Sequence, residues 1–460
     1  MTNVRPNHML LLEVDARTLA KSQSGQLLEA LPDSWFIVRK NMGFSCVWLR
    51  GTWLLSENYA NATYFACDGY LPGSWVGGMA GLAKFRMRLQ KHGMKLILDF
   101  FANQIAAENA IRWIHPQWLV QKKMETDFCP AGWLSQAEDG EGVLIAQGKD
   151  PNYPPISHTL QLNLLDRGLR DHLQDTVARL ATVCDGIWCS QAMLAIPGVM
   201  RKTWGKLVDP ADGMPPAESD FWTDLLAAGF EINPKFMTLA EVYWNLEWDL
   251  MQQGFNYCLD QRLLERLERN DYSGLSSHLQ APLEFLGRTL HRPSLTLARD
   301  LLNRCRYFPG KMAVFLLSPG MKVVHEEVLV ELTGIERENS CLLTGWLEWI
   351  RIKNVMGTEV QAFKAFACGI RRESACLGLC WLSGNHQGEG SGPFLLFALM
   401  NFGANCEAIH CELPSFAGMV RSLQLGCHFV CESAGQVRCT LRMQLDPGAV
   451  ALFSNVAVAE

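Results

Sequence analysis

Long apolar runs are missing from this sequence: no uninterrupted stretch reaches the ~18 residues that a transmembrane helix needs. Met1 to His8 likewise carries no apolar core of the signal-peptide kind. Both absences lead to the expectation of a cytoplasmic protein with no membrane partner. No Lys/Arg cluster stands out and the net charge is -6, so nucleic-acid binding is not expected. Although the chain holds 16 cysteines, no Cys-x2-Cys unit occurs. Cys376 and Cys380 are separated by three residues, as are Cys427 and Cys431, which argues against a structural zinc site. Without a secretory signal, the crowding of Cys406, Cys411, Cys427, Cys431 and Cys439 reads as buried reduced thiols rather than a disulfide framework. There is no internal repeat and no low-complexity segment.

What the chain does have is a succession of short apolar runs separated by helical patterns. Its 460 residues suit a barrel of roughly 250 to 400 residues with an appended domain. Met9 to Val14, Phe44 to Leu49 and Lys95 to Phe101 read as the first three strands. Between the last two, Ala80 to His92 spaces Leu82, Phe85 and Leu89 as a helix closed by Gly93. Strand, helix and strand in that order make a parallel unit with a right-handed crossover. Residues 104–160 form an irregular, aromatic and Pro-rich excursion, long enough to carry function. After a helix near Leu165 to Val183, further strands are read at Gly186 to Ser190, Phe236 to Trp244, Gly254 to Leu259, Phe285 to Leu290 and Met321 to Val324. Eight such strands fit a closed α/β barrel. A helical segment is expected from Leu343 to Phe366. Beyond it the rhythm changes to closely spaced runs (Gly378 to Leu382, Phe394 to Met400, Ala408 to Leu413, Arg438 to Leu445, Val450 to Phe453), which suit antiparallel strands.

Glu241 sits where the fifth run ends and its loop begins. Carboxylates at the carboxyl ends of barrel strands carry the chemistry of (β/α)8 enzymes. Around it stand Asp99-Phe100-Phe101-Ala102-Asn103-Gln104, Gly186-Ile187-Trp188-Cys189-Ser190, Ala240-Glu241-Val242-Tyr243-Trp244 and Ser318-Pro319-Gly320-Met321. In order and spacing these blocks resemble the signatures of the alpha-amylase family of retaining glycoside hydrolases, over roughly residues 8 to 455. The resemblance implies a (β/α)8 TIM barrel over 1–370, with the excursion at 104–160 after the third strand, and a C-terminal antiparallel β-sandwich over 371–460.

Retaining hydrolysis needs two carboxylates about 5 Å apart, one attacking the anomeric carbon and one protonating the leaving oxygen. The resemblance assigns the acid to Glu241. It puts the nucleophile in a Gly-x-Arg-x-Asp pattern, but Trp188 stands at the Arg and Ser190 at the Asp. The stabilising Asp of the block after the seventh strand falls on Ser294, within Leu290-His291-Arg292-Pro293-Ser294. Asp185 cannot substitute, since five extended residues place it roughly 16 Å from Ser190, at the opposite mouth. Loss of a nucleophile costs on the order of 10^4 to 10^6 in turnover. Phe65, Asp99, Asn103, Gln104 and Tyr243 are the substrate-binding candidates that the resemblance implies, Gln104 standing where the family has a His. For Asp99 and Asn103 the competing role is structural hydrogen bonding between strands. Trp53, Tyr64, Phe65 and Trp188 are read as packing residues, with a sugar-stacking platform as the other reading.

Two functions follow. One is a catalytically degenerate amylase-like protein with an oligosaccharide or a protein as partner. The other is an α-glucan or α-glucoside hydrolase or transglycosidase that uses Glu241 by an altered mechanism. No cofactor is expected. Family members often hold calcium near the excursion, but no dense Asp/Asn cluster surrounds Asn103, so no metal is expected either.

Overall fold

The computed structural model describes residues 9–22, 28, 31–55, 67–125, 128–138, 141–209, 220–303 and 309–334. Toward the carboxyl end it describes 360–367, 376–383, 394–402, 407–414, 421–422, 429–432, 438–445 and 450–454. Eight strands close into a parallel barrel: β1 Leu10–Asp15, β2 Cys46–Arg50, β3 Lys95–Phe100, β4 Gly186–Cys189, β5 Met237–Ala240, β6 Tyr257–Leu259, β7 Thr289–His291 and β8 Met321–His325. Each lies beside its neighbours in sequence, and β1 closes on β8. The strands need no alternation because helices cover the outside and side chains fill the inside. All of β4, β5, β6 and β7 is buried.

Within the chain there are two compact units, one spanning Glu13–Leu259, the other holding Asp260 to the carboxyl end with the first residues of β1. In the first, the helix Gly78–Lys91 buries Leu82, Phe85 and Leu89, the stripe its periodicity predicts. Gly93 ends it at φ 67, donating to the carbonyl of Gln90 while Met94 donates to that of Leu89. The helix Arg167–Val183 starts at Asp166, whose side chain accepts from the Leu169 amide at 2.9 Å. Gly186 opens β4 where a Cβ would meet the Met237 carbonyl oxygen at 2.4 Å and Ile97 Cδ1 at 2.8 Å, so only glycine lets the three strands approach.

The excursion is more regular than its sequence suggests. Gln104–Ala106 pairs antiparallel with Thr159–Gln161, closing its neck, and Gln121–Lys123, Trp133–Glu138 and Glu141–Ala146 form a three-stranded antiparallel sheet. Its strands are short and its aromatic and proline residues break the period-2 pattern, which is why the sequence read as irregular.

In the second unit, Phe285 to Leu290 is not a single strand. Leu283–Leu286 is a helical turn started at Pro282, and β7 begins only at Thr289. A short apolar run cannot distinguish the two states. The segment expected to be helical from Leu343 to Phe366 falls outside the described residues up to 359. From Val360 to Ala367 it is a strand, paired with Cys376–Ser383 and carrying Phe363 against Trp381 at 4.5 Å between ring centroids. Cross-strand pairing overrides helical propensity there. The carboxyl-terminal β-sandwich consists of this five-stranded sheet and a three-stranded one, both antiparallel.

Candidate functional site

Register places the site. On β3 and β4, Asp99 lies opposite Trp188, and on β4 and β5, Trp188 lies opposite Leu239. The ladders run on past the strands, with the Ser190 amide donating to the Phe100 carbonyl at 3.1 Å and the Glu241 amide to that of Cys189 at 2.9 Å. Ser190 and Glu241 are therefore the first residues beyond β4 and β5, at the carboxyl ends of the strands. Asp185 lies at the amino end of β4, where Arg86 donates to it at 2.8 Å and the Leu96 amide at 2.9 Å. It is a structural anchor of that mouth.

Trp48 on β2 and Trp188 on β4 flank β3, so their backbones stand about 9–10 Å apart. Their rings nevertheless stack with centroids 3.9 Å apart at 14°. Side chains two strands apart converge so closely only on the concave face, which puts both rings inside the barrel. They are 2% and 1% exposed, and Trp53 is 2% exposed, so none offers a face to a sugar. Tyr64 and Phe65 lie outside the described residues.

Asp99 is locked into this aromatic cluster. Trp48 Nε1 donates to its Oδ1 at 2.8 Å, the Gly51 amide to its Oδ2 at 3.0 Å, and Trp53 Nε1 to its carbonyl at 2.8 Å. Burial pushes its carboxyl up to about 6, against the pull of Arg50 and these donors. Arg50 pairs with Glu13 at 2.6 Å. At 3% exposure, its two carboxylate oxygens accept from Trp48 on β2 and from Gly51 in the loop after it, so the side chain ties β3 to β2.

Glu241 is half-buried, and both its oxygens are engaged. Tyr243 donates its hydroxyl to Oε1 at 2.8 Å, and the Gln191 amide donates to Oε2 at 3.1 Å. Gln191 holds a left-handed φ of 50, and the next amide, Ala192, donates to the Glu241 carbonyl at 2.8 Å. The carboxylate thereby ties the loop after β5 to the loop after β4.

Asn103 and Gln104 face the neck of the excursion. Gln161 Nε2 donates to the Asn103 carbonyl at 2.9 Å and to its Oδ1 at 3.0 Å, and Asn103 Nδ2 donates back at 3.4 Å. These bonds join two neutral side-chain amides and a backbone carbonyl across the neck. Among the described residues no group of three or more His, Cys, Asp or Glu side chains could hold a metal. Gln104 is 2% exposed; its oxygen accepts from Thr159 Oγ1 at 3.5 Å, and its Nε2 has no hydrogen-bond partner among the described residues.

Ser294, in the second unit, is a helix cap. Its hydroxyl accepts from the Leu297 amide at 3.2 Å and its carbonyl from that of Ala298 at 2.8 Å, at the start of Leu295–Asn303. In the same unit Asp260, just past β6, is fully buried with His278 Nε2 at 2.7 Å and Arg262 Nε at 3.0 Å. Burial would raise its carboxyl, but the His278 hydrogen bond and the charges of His278 and Arg262 outweigh it and hold it well below the usual range. His291 beside it is pushed down to about 3 by burial and the Lys322 charge.

Two residues escaped the sequence reading. Trp244 and Trp248, in the loop and helix that follow Glu241, are 40% and 42% exposed. Trp244 and Asn245 hold left-handed φ angles of 65 and 61, a strain of about 1–3 kcal/mol each that turns an indole outward. Their signal was two tryptophans one helical turn apart directly after the carboxylate.

No protein-family model and no curated relative matches the sequence. Solved structures do match its fold over nearly the whole length. An alpha-amylase from Lactobacillus plantarum aligns at 14% identity and a TM-score of 0.62, over 98% of this chain and 99% of that one. A debranching enzyme from Nostoc punctiforme aligns at 12% and 0.66, over 97% and 98%. An alpha-amylase from Geobacillus thermoleovorans, complexed with acarbose, aligns at 13% and 0.66, over 99% of both chains. Identities this low speak for the fold alone.

Proposed function

We propose that this chain, which has the alpha-amylase fold, binds an α-glucan or related oligosaccharide at the carboxyl ends of its barrel strands and does not hydrolyse it. The observation that carries the reading is the Trp48–Trp188 stack, with Ser190 beside it. Where retaining hydrolysis requires a carboxylate nucleophile and a cation to orient it, this barrel has a hydroxyl and a buried indole. The loop that begins at Ser190 carries no His to act as its base, and Asp99 is 3% exposed with both oxygens occupied. Glu241 serves as a bridge between two loops. The exposed indoles of Trp244 and Trp248 supply apolar faces for sugar rings on the same side of the barrel. A protein partner is the second occupant of that mouth, and the absence of any glycan binding would favour it.

The first test measures hydrolysis and transfer on maltooligosaccharides and sucrose at high protein concentration, with Glu241→Gln in parallel. Equal background rates are expected; turnover that disappears in the Gln variant would overturn the reading. Calorimetry with maltoheptaose then measures binding, which Trp244→Ala should weaken by about tenfold at unchanged stability.

A further inference from the structure

On the outside of the first unit, the helices Asp33–Asn41 and Gly78–Lys91 lie side by side. Trp35 and Phe36 pack on Phe85 with ring centroids 6.1 and 5.8 Å apart, and Arg88 reaches across to Asp33 at 2.7 Å. The two helices carry six Lys or Arg and one acidic residue, Asp33, a balance of +5 in a chain whose net charge is -6. Arg86 turns toward the amino end of β4 and pairs with Asp185. Arg39 and Arg88 lie over the rings of Trp35 and Phe36, 4.5 and 4.4 Å from their centroids, which holds two charges at the surface. Lys40, Lys84 and Lys91 are exposed. Among these charges stand Ile37, Val38 and Met87, 40–62% exposed. Each helix turns part of a mixed stripe to solvent: Ile37 and Val38 from one, Lys84, Met87 and Lys91 from the other. On the next helix round the barrel, Arg167–Val183, the exposed charges cancel, Arg167 and Arg179 against Asp171 and Asp175. The basic excess belongs to the one face.

From this local excess of cations and the aliphatic side chains exposed among them, we propose that the face docks on the surface of an anionic lipid bilayer. Lipid phosphates and carboxylates attract each Lys and Arg, and the long Lys stems let their ammoniums stay at the headgroups while Met87 and Ile37 enter the boundary with the acyl chains. Charge complementarity alone would also admit an acidic protein. Protein interfaces, however, are depleted in Lys and anchored by presented aromatics, whereas three of the five outward charges here are Lys and the rings of Trp35, Phe36 and Phe85 are buried beneath them. A second copy seated on the same patch would set like charges against each other. The expectation of no membrane partner rested on the lack of spanning segments, and no described helix is long and apolar enough to cross a membrane. A peripheral contact needs none; it rests on surface charge that only the packing of two separate stretches brings together. This face is separate from the sugar reading of the barrel mouth and stands without it.

The test is cosedimentation of the full chain with phosphatidylcholine vesicles, with and without about 30% phosphatidylserine, at roughly 50 and 300 mM salt. Binding to the anionic vesicles is expected, at least tenfold tighter than to phosphatidylcholine alone, and weakened at the higher salt. Lys84→Glu combined with Lys91→Glu should reduce it by about 30-fold or more. Met87→Ser should reduce it by about fivefold at either salt, since apolar insertion is not screened. Arg167→Glu, on the neighbouring helix, controls for net charge and should change it by less than about threefold. Circular dichroism and thermal melting confirm that these surface variants are folded. The proposal is overturned if the anionic vesicles do not bind the chain at the lower salt, or if the double charge reversal leaves their binding unchanged. Binding to poly-glutamate with none to the vesicles would overturn it in favour of an acidic protein partner.

Discussion

Trp188→Ala separates a packing role from a ligand-binding one. The indole is 1% exposed and stacks on Trp48 at 3.9 Å, over a carboxylate, Asp99, whose hydrogen bond comes from that same Trp48. Removal of a buried Trp side chain costs about 3–5 kcal/mol, the sum of lost transfer free energy and the cavity left behind. The high end is expected here, because the barrel strands cannot collapse inward and Trp48 loses its stacking face. For a cooperative unit of a few hundred residues, each kcal/mol moves Tm by roughly 2–4 °C, so a drop on the order of 6–20 °C follows. The assay is thermal and urea unfolding of the full chain followed by tryptophan fluorescence, with Trp188→Phe as the conservative control losing less. A shift below ~1 kcal/mol, well under the usual cost of emptying a core, would refute the packing argument. If that small shift came with lost glycan binding, Trp188 would be a ligand platform after all.

The two perturbed carboxylates make opposite pH predictions. Asp99, raised to about 6 from 3.8, holds its proton more tightly when folded, so its contribution is greatest below pH 4 and is lost as pH rises through 6, at most about 3 kcal/mol. Asp99→Asn should flatten stability over pH 4–6 while lowering it throughout, since an amide NH2 must then face a donor; an unchanged slope would sink the assignment. Asp260 is lowered, so it stabilises above pH 3.8 and that contribution is lost as pH falls below it. His278→Ala, which leaves that carboxylate without its 2.7 Å partner, should destabilise by about 3–5 kcal/mol at pH 7 in urea titration; a cost under ~1 kcal/mol would show that Arg262 alone suffices.

How much of this protein was written in its sequence depends on the distance over which each feature is decided. Seven of the eight apolar runs, the helix Gly78–Lys91 with its Gly93 stop, and the position of Glu241 one residue past a strand are matters of local periodicity and capping. Neighbours in sequence settle them, and they were legible. The substitutions Trp188 and Ser190 were legible too, because a motif is a spacing. Tertiary structure decided what those residues do. Trp188 fills space only because Trp48, on a strand two places away around the barrel, meets it on the concave face. Asp99 is a strand-bonding group because the loop after β2 brings it donors, and Glu241 is a bridge because Gln191 turns its amide toward it. Gln104 is buried because the excursion folds back and pairs at its neck. Such contacts join residues from about 50 to 140 apart, and which side chains long loops bring together is set by the closed barrel rather than by any local preference.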